Sequence, residues 1–451
     1  MRTSAELCEA ESGEGFPRPF VTQSYEDLLQ FPKIPASAID TPSGQRAITE
    51  PLVDAIVVPT IRSAEHLYTA AKLAAYARCH LVAVYTGTPP AGLSAVLDRL
   101  RLSRVTVLTV SPGTQDRLLD LGASLPQSLV SPAALDISRK RNLGLLIGRA
   151  CGWTRLLFLD DDICKLNVPK LCSAAALLDH YPVVGLQVKK FPDTSVVGHA
   201  RRLTGRRQEP FVSGGSLLVN PQLVSGYFVP VYHEDWLCVI NHVRKSEVAI
   251  GGSVAQLPYL PFSAVQLAER EEFGDILLSG LLWLVHARAR TGAAGQARLM
   301  TDAGYWREAT SPGFWKEVLA QRYVLLADIT ARLTGKDFDG PSPLPSLAAA
   351  KQRLDALEPA DFATFTAEWL TSLAVWRDQR LAPARTVLPD KARAIEKAIA
   401  KLGLAHIVRS HEVSSYQDPA GGTGRMSGFA GRWNRWTGPD ARLRFGARNE
   451  P

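Results

Sequence analysis

Cysteine is scarce. The 451-residue chain has six, and none of them forms a CxxC pair. Cys8, Cys79, Cys151, Cys164, Cys172 and Cys238 are scattered. That argues against a zinc ribbon or a disulfide framework and fits a reducing, cytoplasmic setting. Long apolar runs are missing too. The longest, Ile276 to Val285, is about half the ~20 residues a membrane span needs and reads as a core helix. The first residues are acidic without an apolar stretch, so no signal peptide is predicted. No internal repeat is visible. The net charge of +7 is mild for the length; it suits anionic small molecules and does not by itself indicate nucleic acid.

What is present is alternation. Before about Pro51 there is no sustained periodicity, which predicts an irregular arm over 1–50. From Val53 short apolar runs alternate with helical spacing. "VDAIVVPT", "HLVAVYTG", "RVTVLTVSP" and "RLLFLDDD" read as strands. "SAEHLYTAAKLAAYA", with Ser63 as cap, "GLSAVLDRLR" and "SRKRNLGLLIGRACG" read as helices. Such alternation predicts an α/β, mostly parallel sheet flanked by helices. Ligands of such sheets sit at the carboxyl ends of the strands. Pro59-Thr60, Thr86-Gly87 and Asp160-Asp162 therefore share one rim. "PVVGLQVKKF" and "SGGSLLVN" look like further strands, and "HEDWLCVINHVRK" like a helix with an acidic first turn. From about Val265 to Ile407 the spacing is mainly helical. The Gly/Arg/aromatic segment over 414–451 predicts a flexible tail.

Three consecutive acids follow an apolar strand at Asp160, Asp161 and Asp162. Strand side chains alternate faces, so Asp160 and Asp162 are expected on one side and Asp161 on the other. Two neighbouring carboxylates repel unless a cation lies between them. Magnesium or manganese is commonly held by one or two carboxylates, with substrate phosphates and water completing the shell.

"SRKRNLGLLIGRACGWTRLLFLDDDI" resembles the central block of GT-A-fold, family-2-like nucleotide-sugar glycosyltransferases. Arg141, Asn142 and Gly144 match the helix opening, Gly152 its end, and Asp160 and Asp162 the DXD carboxylates. "IVVPTIR" resembles the first strand and nucleotide loop, "FVSGGSLLVN" the acceptor-side glycine segment, and "YHEDW" the acidic motif that supplies a base. The matching motifs run from Val53 to Trp236. Two departures stand out: "AVYTGT" lacks the acids that help relatives read the nucleotide base, and the QxxRW motif of processive synthases is missing.

The resemblance implies a GT-A-like (Rossmann-related) catalytic domain over 51–261 and a mainly helical C-terminal region over 262–413. It implies a metal-dependent transfer of sugar from a nucleoside-diphosphate sugar to a hydroxyl acceptor, with inversion. Asp160 and Asp162 would hold Mn2+ or Mg2+, with His233 as a further ligand and His286 a more remote one. Asp235, or alternatively Glu234, would be the base. Pro59, Thr60, Arg62, Arg139, Arg141, Asn142 and Asp161 would meet the nucleotide sugar, with Arg139, Lys140 and Arg141 expected just ahead of a helix as solvated charges. Gly214, Gly215 and Trp236 would face the acceptor. The Arg/aromatic tail has the composition of a single-strand nucleic-acid binder, but a self-docking tail fits equally, and nucleic acid is not the expected partner. Two other readings remain open: a nucleotidyltransferase of related fold, disfavoured by the absence of a Gly-rich loop in "VPTIRSAEHL", and a non-catalytic GT-A-like binding or scaffold protein.

Overall fold

The computed structural model describes residues 52–411, apart from 100–101, 103, 122–128, 131, 167, 190–193, 207–211, 291–298 and 379–389. The arm expected over 1–50 and the tail over 414–451 lie outside the described residues.

The strands are β1 (Ala55–Pro59), β2 (His80–Thr86), β3 (Val105–Val110), β4 (Leu156–Leu159), β5 (Ile163–Leu166), β6 (Val183–Lys189), β7 (Ser216–Val219), β8 (Val248–Gln256) and β9 (Val408–His411). They form one sheet of order β5-β8-β6-β7-β4-β1-β2-β3-β9. β1 to β4, β6 and β8 run one way, while β5, β7 and β9 run antiparallel to their neighbours. Helices α1 (Tyr68–Ala77), α2 (Leu93–Arg99), α3 (Pro132–Ala150), α4 (Val168–Ala176), α5 (Val196–Leu203) and α6 (Glu234–Val243) intervene. Then follow α7 (Val265–Arg290), α8 (Asp302–Trp306), α9 (Pro312–Leu333), α10 (Leu344–Asp355), α11 (Pro359–Asp378) and α12 (Lys391–Lys401). This is the α/β class predicted, a mostly parallel sheet flanked by helices, with a mainly helical C-terminal region. Among the described residues no helix is long and apolar enough to cross a membrane.

β1 shows why the central strands are apolar throughout. Ala55 and Val57 join one core layer with α3, α6 and the C-terminal helices, while Ile56 and Val58 join the other with α1 and α4. A strand covered on both faces has no polar side to offer. Ile276 to Val285 lies inside α7, largely buried, as expected. Ser63 has extended N-cap geometry but makes no side-chain cap bond; a short 3-10 turn, Ala64–Leu67, precedes α1.

Two features position the site. The order runs outward from β1 through β2 to β3 on one side, and to β4 on the other. The reversal opens a crevice between the carboxyl ends of β1 and β4, the place where open α/β sheets bind ligands. Helix α3 also begins at Pro132, six positions before the expected Ser138. Arg139, Lys140, Arg141 and Asn142 consequently lie in mid-helix, and all four are buried. The expectation of solvated charges ahead of a helix is thereby corrected. Gly144 explains one part of the motif: an added Cβ would sit 3.0 Å from Phe158 and 3.1 Å from Val57, so its bare backbone lets α3 pack closely on β4 and β1.

Candidate active site

β4 ends at Leu159, so strand alternation does not govern the acids that follow. Each carboxylate takes its own direction. Asp160 receives Arg141 Nη2 at 2.8 and 3.1 Å on its two oxygens. Asp161 accepts the Thr60 hydroxyl and pairs with Arg62 at 3.2 Å, linking the loops that follow β4 and β1. Asp162 accepts Gln256 Nε2 from β8 at 3.0 Å on one oxygen. Its other oxygen, Oδ1, is buried and has no hydrogen-bond partner. Burial raises Asp162's pKa, and the neighbouring Asp160 adds to the rise. Burial also raises that of Asp161, against Thr60 and Arg62.

Opposite Asp160 lies the first turn of α6. Arg141 bonds Glu234 as well as Asp160, and its side chain is 4 % exposed. One guanidinium thus faces Asp160, Glu234 and Asp235. Burial lowers its pKa, but the three acids outweigh that and raise it. Three carboxylates share one cation, and burial raises the Glu234 pKa to about 7, despite Arg141. Asp235 is fixed differently. It accepts the backbone N–H of Gly214 at 2.6 Å and of Trp236 at 2.7 Å.

The glycines at 214 and 215 are needed for contact. A Cβ on Gly214 would lie 2.5 Å from Arg141 Nη1, and one on Gly215 would lie 2.8 Å from Asp160 Oδ2. Around these groups is a cleft of about 340 Å³, within the usual range of small-molecule sites. Its lining includes Arg141, Asp160, Gly214, Gly215, Glu234 and Asp235, which the sequence indicates, and Arg270 and Glu271, which it does not. Glu271 accepts the Val196 N–H at 2.7 Å, and burial pushes its pKa up to about 8. Its stretch, "AEREEFGD", carries none of the motifs that the sequence offers and stands just ahead of the apolar run of α7.

Of the other expected residues, His233 and Trp236 also line the cleft and the rest lie outside it. Arg139 pairs with Asp120 at 2.9 Å and bonds the Thr114 carbonyl, bracing a loop. Asn142 donates to the Phe228 carbonyl and accepts the Phe228 N–H, both at 2.8 Å. Through these contacts Arg139 and Asn142 brace the fold. Trp236 lines the cleft but is 1 % exposed. His233 gives Nε2 to Asp275 at 2.7 Å. His286 is buried about three turns further along α7. Lys140, buried behind the rim, bonds the Thr60 carbonyl at 3.0 Å and Asp136 at 2.5 Å, and Thr86 also bonds Asp136. Burial lowers the Lys140 pKa.

No group of three or more His, Cys, Asp or Glu side chains suited to a metal ion occurs among the described residues. The two-carboxylate set fits a hard cation in one respect: Asp162 Oδ1 is a buried acceptor without a partner. Divalent ions bound through one or two carboxylates take their remaining ligands from phosphate and water.

No protein-family model matches the chain, and no curated protein does. Among solved structures, the crystal structure of S. aureus TarS 1-349 is similar over 72% of this chain and 91% of that one, at 14% identity and a TM-score of 0.30.

Proposed function

We propose that the protein is a metal-dependent glycosyltransferase that moves a sugar from a nucleoside diphosphate to a hydroxyl acceptor. One observation carries the reading: Asp160 and Asp235 line the same cleft, joined through Arg141 and the Gly214–Gly215 segment, beside the crevice between β1 and β4.

The nucleotide would lie along Thr60, Arg62 and Asp161 at that crevice, and the acceptor in the cleft. The acceptor oxygen attacks the anomeric carbon, the bond from that carbon to the diphosphate oxygen breaks, and the hydroxyl proton passes to a carboxylate. Asp235 suits this role better than Glu234. The backbone amides of Gly214 and Trp236 fix its direction, whereas Glu234 is ion-paired with Arg141. Attack from the base side, opposite the leaving diphosphate, inverts the anomeric centre. Asp160 and Asp162 would hold Mn2+ or Mg2+, which when bound offsets the charge gathering on the leaving diphosphate. Arg141 then stands between Asp160 and Glu234 and offsets part of their charge.

The reading is tested by thermal stabilisation with nucleoside diphosphates, with and without Mn2+, because a ligand of the folded state raises its stability. Manganese-dependent stabilisation by one nucleoside diphosphate, lost in Asp162→Ala, is the expected result. No response to any nucleotide, with or without the ion, refutes it.

A further inference from the structure

Helix α7 binds the turn that leads into α6. Glu272 and Asp275 share Arg322 of α9: Arg322 meets Glu272 at 2.7 and 2.6 Å and Asp275 at 3.0 Å. All three side chains are buried. The other oxygen of Asp275 takes His233 Nε2 at 2.7 Å. Burial pushes the Asp275 pKa up, but His233 and Arg322 outweigh it and hold it at about 2. One residue earlier in α7, a Cβ on Gly274 would run into the Tyr232 carbonyl, so helix backbone lies directly on the turn.

His233 is the residue that needs holding. It is the N-cap of α6, with φ 67 and ψ 31, and its side chain makes no cap bond. Left-handed backbone is disfavoured for a residue with a Cβ, which crowds the following carbonyl. Asp, Asn, Ser and Thr cap helices from extended backbone, which residue 233 does not have. The imidazole instead points away from the helix end to Asp275. The next two residues are Glu234 and Asp235, and the His233 carbonyl accepts the first helical N–H, from Leu237, at 3.1 Å.

We propose that Asp275 and Arg322 are positioning residues: through His233 they lock the left-handed turn that aims Glu234 and Asp235 into the cleft. The inference rests on the reading of Asp235 as base. Joining α7 to α9 does not require His233, since Glu272 already takes both Nε and Nη2 of Arg322. The link from Asp275 to His233 therefore serves the turn. It also gives the C-terminal helices a share in the site without any contact to substrate.

Two variants of the full chain test this. His233→Asn keeps a residue that tolerates left-handed backbone but is too short to reach Asp275. Asp275→Asn keeps the size and removes the charge. The first readout is amide hydrogen exchange at Gly214, whose N–H donates to Asp235, and at Leu237. Protection at both is expected to fall about tenfold or more, with the amides of β1 and β2 unchanged. The second is turnover of the nucleotide sugar that the wild type uses. kcat is expected to fall on the order of tenfold to a hundredfold, as small misplacements do, with the donor KM within about twofold. Both variants folding with wild-type protection at Gly214 and wild-type kcat overturns the proposal. Failure of both to fold also overturns it, because the link would then be a requirement of the fold. A wild-type chain that turns over no nucleotide sugar removes the function reading, and exchange at Gly214 alone then decides the positioning claim.

Discussion

Glu234→Gln is expected to change how stability depends on pH, and the arrangement of charges sets the size. Glu234 has a pKa of about 7 against an ordinary 4.5, raised first by burial and then by Asp235 and Asp160, with Arg141 opposing. A carboxyl raised on folding binds a proton more tightly in the native than in the unfolded chain. Its stabilisation is complete below about pH 4.5 and is lost as pH rises through 7. The shift of about 2.5 units corresponds to about 3 kcal/mol at 1.36 kcal/mol per unit. With the side chain 13% exposed, little of this is screened away. Between pH 5 and 8 most of it, about 2 to 3 kcal/mol, falls in the measured window. Glutamine carries no proton equilibrium, so the variant lacks this slope. Urea unfolding of both chains at pH 5, 6, 7 and 8 reads it: the substitution should grow steadily less costly, or more favourable, towards pH 8. A change under about 1 kcal/mol across the window would refute the reasoning. A change of opposite sign would mean that Arg141 outweighs burial and holds Glu234 low.

Asn142→Leu leaves the buried N–H and carbonyl of Phe228 unpaired, and each orphaned group costs about 1–3 kcal/mol; a loss of about 3 kcal/mol in urea unfolding is expected, with nucleotide affinity measured on the folded fraction unchanged. Gly215→Ala places a Cβ 2.8 Å from Asp160 Oδ2. Because Asp160 is 30% exposed and able to swing away, stability should change by about 1 kcal/mol or less, while manganese-dependent stabilisation by nucleoside diphosphate disappears in the same thermal-shift assay.

The legible parts of the chain were those with local order. β1 to β4 are apolar on both faces, and α6 carries an acidic first turn, so both are visible in the sequence. β5, β8 and β9 are not. "ICKL" exposes Cys164 and Lys165, "VAIGGSVAQ" is interrupted by glycines, and "VRSH" is short and polar. What makes them strands is a partner elsewhere in the sheet. The same distinction holds at the site. Asp160, Glu234 and Asp235, singled out by motif, line one cleft. The backbone and loop partners of Arg139 and Asn142 had no local signal, because α3 starts at Pro132, ahead of the serine that the pattern offers. The left-handed turn at His233 had no sequence signal, since positive φ is uncommon for any residue other than glycine.

β9 closes the sheet edge at β3, and the paired side chains Thr109 and His411 are 302 residues apart. At ribosomal rates of about 5–20 residues per second, roughly 15 to 60 s separate the synthesis of the two strands. During that interval the outer backbone groups of β3 face solvent as an open template for another strand. The chain's exposure to mispairing is therefore set by the time its own C-terminal segment takes to arrive, and a truncation before Val408 would make that exposure permanent.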